Sequence, residues 1–154
     1  MTKRVHLTVG VLATLTIATF FVATVLVEVL GSPDAVARVK GLIVLPGLWI
    51  LAPAIAATGG TGFALSKSRQ GRLVDVKKKR MPFIAANGLI ILIPCAIVLD
   101  SWASQGLIDA RFYLVQGLEL IAGGTNLVLM GMNIRDGLTL SGRLRLDPAV
   151  ERTL

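Results

Sequence analysis

The chain has 154 residues, which suits one domain, yet 54% of them are hydrophobic and only 16% are charged. With a mean hydropathy of +0.75, this composition excludes an ordinary soluble domain and favours a membrane protein. The formal charge of +7 would also suit a nucleic-acid-binding protein, but the basic residues stand in the gaps between apolar runs and lack interleaved aromatic residues. We therefore expect the lipid bilayer, and no nucleic acid, as a partner.

Four apolar stretches follow one another along the chain. They cover residues 5–30, 42–65, 81–103 and 110–134. Each reaches the ~20 residues that a helix needs to cross ~30 Å of hydrocarbon. The connections at 31–41 and 104–109 are short, which makes consecutive helices antiparallel neighbours. The sequence therefore predicts an all-α, integral membrane four-helix bundle of up-down-up-down topology over residues 1–134, followed by a cytoplasmic tail at 135–154.

The lysine and arginine residues predict the orientation of this bundle. Two precede the first span, seven lie between spans two and three, and four follow span four, against three on the other side. By the positive-inside rule, both termini and the basic loop at 66–80 face the cytoplasm. A run of four basic residues in this loop also predicts contact with anionic lipid head groups, worth about 1 kcal/mol per residue. These residues are Lys77, Lys78, Lys79 and Arg80.

Prolines interrupt two of the predicted spans. Pro53 lies within span two and Pro94 lies near the middle of span three. A proline inside a helix removes one backbone hydrogen bond and clashes with the preceding turn. The sequence therefore predicts a kink at each of these two prolines, which would either shape helix packing or open the bundle at mid-depth.

Span four carries a polar face. Its members recur at alternating steps of four and three residues, which places them on one side of a helix: Phe112, Gln116, Glu119, Gly123, Asn126, Met130 and Asn133. A face of this kind is expensive to expose to lipid, so it is expected to face the bundle interior or a partner. Glu119 is the one carboxylate well inside a span, where an acid is either neutral or paired with a cation or a strong donor.

Other polar residues lie at similar depths in the inner half of the predicted bundle. Together with Glu119 and Met130 they form the predicted ligand- or cofactor-binding set, namely His6, Thr58, Thr61, Asn87, Asn126 and Asn133. These groups would either line a small cavity or join the helices by hydrogen bonds of about 0.6 to 2 kcal/mol each. The sequence leaves both interpretations open.

The chain offers few groups for metal binding or catalysis. His6 is the only histidine, so as a metal ligand it would need Met81, Met130 or Met132, a second copy of the chain, or an open coordination position. The sequence contains no metal-spacing motif, glycine-rich phosphate loop or nucleophile–base pairing. These absences argue against hydrolytic and nucleotide-driven enzymes.

Several short motifs carry a family resemblance. Val5-His6-Leu7 at the entry of span one, the segment 35–40 and Pro53 followed by residues 58–62 resemble small bacterial four-helix proteins of the inner membrane. These are related to the copper-resistance D group, which is similar to HemJ-type protoporphyrinogen oxidase. In HemJ-type proteins a histidine in the first helix and a lysine in a later helix are associated with haem and activity. The resemblance implies His6 as the axial ligand of a haem b, while spans three and four contain no lysine counterpart.

Three functions are compatible with these features. The first is a structural or accessory component that forms a homo-oligomer or joins a larger membrane complex, without a cofactor. The second is a module that binds haem or a quinone-like ligand through His6 and the polar face of span four. The third is proton-coupled transport involving Glu119, although four spans without a repeat would normally need a dimer to enclose a path.

Overall fold

The computed structural model describes the backbone of residues 2–67 and 71–140 and the side chains of residues 4–65, 71 and 73–139. Within these residues the chain is helical except at 31–32, 71 and 105–109, and it contains no strand. The α-helices are α1 (Thr2–Leu30), α2 (Pro33–Leu42), α3 (Trp49–Lys67), α4 (Arg72–Asn87), α5 (Ile93–Ser104) and α6 (Ala110–Leu140). A first π-helical segment, Ile43–Leu48, joins α2 to α3, and a second, Gly88–Leu92, joins α4 to α5.

Four continuous helical stretches are long and apolar enough to cross a membrane. They are Arg4–Leu30, Pro33–Leu65, Leu73–Ser104 and Ala110–Thr139. Each contains one of the apolar stretches found in the sequence, which confirms an all-helical protein with four helices of spanning length and composition.

The predicted connection between the first two spans is mostly helical, so the helix of span two begins before the apolar stretch that was predicted to cross the membrane. Residues 33–42 form α2, so only Gly31 and Ser32 separate it from α1. Ser32 is the N-cap, and its Oγ accepts a hydrogen bond from the Ala35 amide at 3.3 Å. Pro33 occupies the first helical position, where its missing N–H is harmless. These start signals, rather than the polar composition of the segment, determine its conformation.

The basic segment after span two is also helical where it is described. Residues 72–80 belong to α4, whereas the sequence analysis assigned them to a loop. Lysine and arginine are good helix formers, and their long stems can lie along apolar surface, so a basic run need not end a helix. Residues 68–70 of the predicted loop lie outside the described residues.

The fourth span continues beyond the predicted end at residue 134. Helix α6 extends to Leu140, and Asp136 near its end is buried. The Asp136 carboxylate accepts a hydrogen bond from Arg80 Nη1 at 2.7 Å, which joins this end of α6 to α4. Residues 141–154 of the predicted tail lie outside the described residues.

The irregular backbone of span two lies earlier than predicted. Helix α3 is continuous through Pro53, whereas Leu45 in the first π-helical segment has the non-helical dihedral angles φ −132° and ψ 115° and precedes Pro46. A residue before proline is driven out of the helical region by contact with the ring. The predicted disruption at Pro53 is therefore corrected to Leu45 and Pro46. Pro53 lies one turn after the start of α3, and the helix continues through it.

The irregular turn of span three precedes Pro94. The second π-helical segment, Gly88–Leu92, ends just before α5, and Pro94 lies in the first turn of that helix. A widened turn at this point accommodates the carbonyl groups that the ring of a proline would otherwise contact. The prediction thus identified the correct region of span three, where the irregularity is a π-helical turn.

The helices pack through two apolar clusters. Helix α1 packs mainly on α3, α2 packs on α5, and α6 contacts α1, α4 and α5, while the contact between α3 and α4 is slight. The first cluster contains Ala13, Ile17, Leu51, Ala54 and Met130. The second contains Val36, Cys95, Leu99, Ala103 and Phe112.

The polar face of span four points inward, as predicted. Phe112, Gln116 and Asn126 are 0%, 3% and 1% exposed, and Gly123 and Met130 are also buried. Side chains on the opposite face, such as Leu114 and Ile121, are exposed. The inward face of α6 therefore supplies the polar groups of the candidate site.

Candidate functional site

A cavity of about 280 Å³ lies within the bundle, and side chains from all four helical stretches line it. Its wall is almost entirely apolar and includes the aromatic rings of Phe20 and Phe21. Three polar side chains also line it: Thr24 of α1, and Glu119 and Asn126 of α6. The cavity thus combines a large apolar wall with a few polar groups, which is typical of small-molecule sites.

The cavity reaches the outside of the bundle between α3 and the α4 side of span three. Ala52 and Ala56 of α3 line it, as do Ala85 of α4 and Leu89 of the second π-helical segment, and all four are exposed. Alanine side chains at three of these positions leave space where larger side chains would close the gap. A molecule alongside the bundle could enter the cavity there.

Thr24 differs from the other threonines of α1. Thr14, Thr16 and Thr19 each donate a hydrogen bond to the carbonyl four residues earlier. Thr24 is only 2% exposed, and within the described residues its hydroxyl forms no hydrogen bond. Because it also lines the cavity, its hydroxyl can bond a molecule bound there.

Glu119 forms a buried ion pair with Lys40 of α2. Lys40 Nζ donates to Glu119 Oε2 at 2.5 Å, and the lysine side chain is 0% exposed. Gln116, one turn earlier in α6, donates from Nε2 to the same oxygen at 3.1 Å. Of the two predicted alternatives for Glu119, a neutral acid or an acid paired with a cation, the structure shows the paired one.

Two further buried oxygens, in α1 and α6, lack donors among the described residues. Glu28 Oε1 and Gln116 Oε1 are inaccessible and accept no hydrogen bond from any described residue. Glu28 lies one turn after Thr24 in α1, and Gln116 lies one turn before Glu119 in α6. Neither residue lines the cavity, but each is one turn from a residue that does.

Asn87 and Asn126 form a separate amide pair. Asn87 Nδ2 donates to Asn126 Oδ1 at 2.8 Å and to the Ala122 carbonyl at 2.9 Å, and Asn126 Nδ2 donates to the Ile84 carbonyl at 3.3 Å. These bonds join α4 to α6. They support the helix-joining interpretation of both residues, although Asn126 also lines the cavity.

His6 belongs to a different part of the bundle. The Thr61 hydroxyl donates to the Ala57 carbonyl at 2.6 Å. Because a hydroxyl has one proton, Thr61 accepts from His6 Nδ1 at 2.9 Å. This bond leaves His6 Nε2 as the remaining acceptor of the ring. Met81 also lies nearby, since both His6 Cε1 and Met81 Sδ approach Gly62.

The other predicted site residues do not join these groups into one layer. Thr58 donates to the Ala54 carbonyl at 2.7 Å, and Met130 is packed in the first apolar cluster. Asn133 has a buried Oδ1 without a donor among the described residues. The predicted polar layer is therefore divided into the His6–Thr61 pair and the Asn87–Asn126 pair, while Glu119, predicted to lie outside this layer, pairs with Lys40.

The separation of His6 from the cavity argues against a haem that occupies the cavity and is bound by His6. Ile17 is the cavity-lining residue of α1 closest in sequence to His6, and the helical rise between them is roughly 16 Å. An axial bond from His6 to a haem in this cavity would have to cover that distance. For a metal ion bound directly by side chains, the described residues contain no group of three histidine, cysteine, aspartate or glutamate residues placed to hold it. His6 and the cavity do not together fit one haem site.

Sequence reasoning missed three contributors to the site. Lys40 was assigned to a connecting loop, Thr24 was treated as part of an apolar span, and Gln116 was recognised only as a member of the polar face. The spacing of four between Thr24 and Glu28 indicates a polar strip on one side of α1. No comparable signal in one sequence identifies Lys40 as the partner of Glu119.

No protein-family model, curated protein or solved structure matches the chain. The resemblance to copper-resistance D and HemJ-type proteins therefore stays a prediction.

Proposed function

We propose that the protein spans the bacterial inner membrane four times and binds a small quinone-like molecule in its central cavity. The four apolar helical stretches support membrane insertion. The up-down-up-down arrangement is supported by the contacts between the first two spans. His6 contacts Thr61, whereas Phe20, further along α1, approaches Gly47, which comes earlier in the chain.

The lining of the cavity is the main support for a bound ligand. Its apolar wall suits a membrane-soluble molecule, and the rings of Phe20 and Phe21 can pack against a flat ring at offset or edge-to-face geometry. Thr24 offers a hydroxyl donor and Glu119 offers a carboxylate acceptor. A quinone has carbonyl acceptors when oxidised and hydroxyl donors when reduced, so both polar groups have a counterpart on such a ring.

The position of the opening supports entry from the bilayer. The exposed alanines at the mouth lie within the apolar helical stretches, at a depth where lipid would surround the bundle. A ligand dissolved in the membrane could therefore enter without crossing water.

Lys78 and Lys79, both exposed on α4, remain our proposed contacts for anionic lipid head groups, whereas Arg80 is engaged by Asp136.

Extraction and binding together test the ligand proposal. Protein purified in mild detergent should release a quinone into organic solvent, detected by mass spectrometry, and the emptied protein should bind a short-chain quinone saturably. Ala85→Phe should weaken that binding at least tenfold, about 1.4 kcal/mol, because the new ring would occupy the mouth. If no quinone is extracted and the emptied protein shows no saturable binding, the proposal is excluded.

Ala86→Phe is the matched control. Ala86 is adjacent to Ala85 and is also exposed, but it does not line the cavity. It should retain the affinity of the unmodified protein. Equal losses in both variants would show that the bulky ring acts through the helix and not through the cavity.

A structural or accessory role in a homo-oligomer or larger complex is the second candidate. The buried Asn87–Asn126 pair favours it, because such amide pairs serve helix packing in membranes. This role predicts protein without a bound small molecule and with equal behaviour of the two phenylalanine variants. Glu119 is neutralised by Lys40, so we do not propose it as the carrier in proton-coupled transport.

A further inference from the structure

Two residues of α6 mark the two ends of the cavity. Glu119 and Asn126 are the first and the last residues of this helix that line it, and the helical rise between them is roughly 10 Å. Glu119 pairs with Lys40 of α2, whereas Asn126 Oδ1 accepts a hydrogen bond from Asn87 Nδ2 of α4 at 2.8 Å. We call these the Glu119 end and the Asn126 end of the cavity.

The Glu119 end is polar and closed. Lys40, which pairs with Glu119, has a side chain that is 0% exposed. Thr24 belongs to the same end, because α1 runs antiparallel to span two and Thr24 comes one turn after Phe20, which approaches Gly47. Lys40 precedes Gly47 in span two, so it lies on the same side of this contact as Thr24. The free hydroxyl and the carboxylate that line the cavity are therefore at one end of it.

The Asn126 end is apolar where it opens. Ala85 and Leu89 flank Asn87, the hydrogen-bond partner of Asn126, and both are exposed. They form part of the mouth, which we define as the four exposed residues that line the cavity: Ala52, Ala56, Ala85 and Leu89. None of these side chains has a polar atom, so an apolar chain can pass between them without breaking a hydrogen bond.

The size of the cavity limits how much of a ligand it can enclose. Its volume of about 280 Å³ is at the lower end of the range for ligand pockets, which is about 300–1,000 Å³. A ring that reaches Thr24 and Glu119 would fill most of this space. A long substituent on that ring would then have to leave through the mouth, where the surrounding lipid is also apolar.

We infer, on the basis of the quinone binding proposed above, that the ligand is a prenylated quinone bound with its ring at the Glu119 end and its prenyl chain extending through the mouth into the lipid. The oxygens of the ring face the Thr24 hydroxyl, and the chain contacts only apolar groups along its length. The protein encloses only the part of the chain that crosses the mouth. The mouth therefore selects for the presence of a chain more than for its length.

Two quinones with the same ring test this arrangement, one without a chain and one with a chain of two isoprene units. The dissociation constant of the first divided by that of the second gives the contribution of the chain. This ratio should be about tenfold smaller in Ala85→Phe than in the control Ala86→Phe, because the added ring excludes the chain from the mouth. Both variants are measured in the same detergent, so partitioning of the chain into micelles cancels in the comparison.

Thr24→Val separates recognition of the ring from recognition of the chain. It should weaken binding of both quinones alike and keep the ratio of the Ala86→Phe control. Equal ratios in the two phenylalanine variants would overturn the placement of the chain while quinone binding itself remained supported. If neither quinone binds saturably to the unmodified protein, the ligand proposal and the placement of the chain both fail.

Photolabelling of the unmodified protein locates the chain without any substitution. A quinone with a diazirine on its first isoprene unit should attach to α3 or to the segment 85–89 around the mouth, identified by mass spectrometry of peptides. An excess of the same quinone without the diazirine should suppress this labelling. Attachment confined to α2 or α5 would place the chain at the Glu119 end and overturn the inference.

Discussion

The Lys40–Glu119 ion pair is buried at its lysine end, because Lys40 is 0% exposed and Glu119 is 13% exposed. Removing charged groups from water costs several kcal/mol per ion, and mutual attraction offsets this cost only while both partners are present. The added bond from Gln116 is charge-assisted and so stronger than a neutral one. The free energy of unfolding should therefore change most when only one partner of this pair is removed.

Lys40→Met should lower the free energy of unfolding by about 3–5 kcal/mol, because it leaves Glu119 as an uncompensated buried charge. Combining it with Glu119→Gln should restore much of this loss, since the glutamine is neutral. Denaturation in mild detergent measures both variants. Lys78→Met, at an exposed lysine of α4, should change stability by less than about 0.5 kcal/mol. Additive losses in the double variant would refute a direct interaction.

The sequence predicted the environment of some residues better than their partners. Glu119 could be recognised as an acid that needs a cation, because its position within an apolar run is visible in the sequence. Lys40 could not be recognised as that cation, since it is separated by 79 residues and lies in a segment of mixed polarity. Periodicity shows which face of a helix is polar, but it does not show which helix that face will contact.

The first π-helical segment allows span two to pass very close to α1. A Cβ placed on Gly47 would lie 2.5 Å from Phe20 Cζ and 2.8 Å from the Leu42 carbonyl oxygen. Such distances are below van der Waals contact, so only glycine fits without movement of its neighbours. Phe20 also lines the cavity, and this close approach therefore helps to form the cavity wall.

Gly47→Ala should destabilise the protein by about 1–3 kcal/mol, the usual cost of overpacking a closely packed interior. Gly60→Ala is the matched control within the same span, because no atom lies within 4 Å of its added Cβ. This control should be neutral or stabilising by up to about 1 kcal/mol. Thermal unfolding of both variants measures the difference, and equal effects would contradict the proposed close approach.

Helix existence and helix boundaries were predictable to different extents. The four apolar runs were sufficient to predict four helices, because length and hydropathy are local properties. The helices extend beyond the apolar runs, into residues 33–41 and 72–80, since Asp34, Arg38 and the Lys77–Arg80 run are compatible with helix as well as with loop. The position of the backbone break in span two also depends on packing around Pro46, which the count of prolines does not show.

Burial of Lys40 bears on the charge balance between the two ends of the bundle. Three basic residues were expected on the outer side, but Lys40 is paired with Glu119 inside the bundle. In the described chain, Arg38 and Arg111 remain as exposed basic residues at that end. Arg80, on the side expected to face the cytoplasm, is likewise paired, with Asp136, so one basic residue is withdrawn from each side and the difference from which the orientation is predicted stays the same.

Cysteine labelling of intact cells tests this orientation, in a Cys95→Ser background that removes the single buried cysteine. A membrane-impermeant maleimide should label Ser104→Cys at the exposed end of α5, because this end is proposed to face away from the cytoplasm. Asp75→Cys, exposed in α4, should react only after permeabilisation. The reverse pattern would show that the protein has the opposite orientation. Labelling of both sites in intact cells would exclude an odd number of membrane crossings between residues 75 and 104.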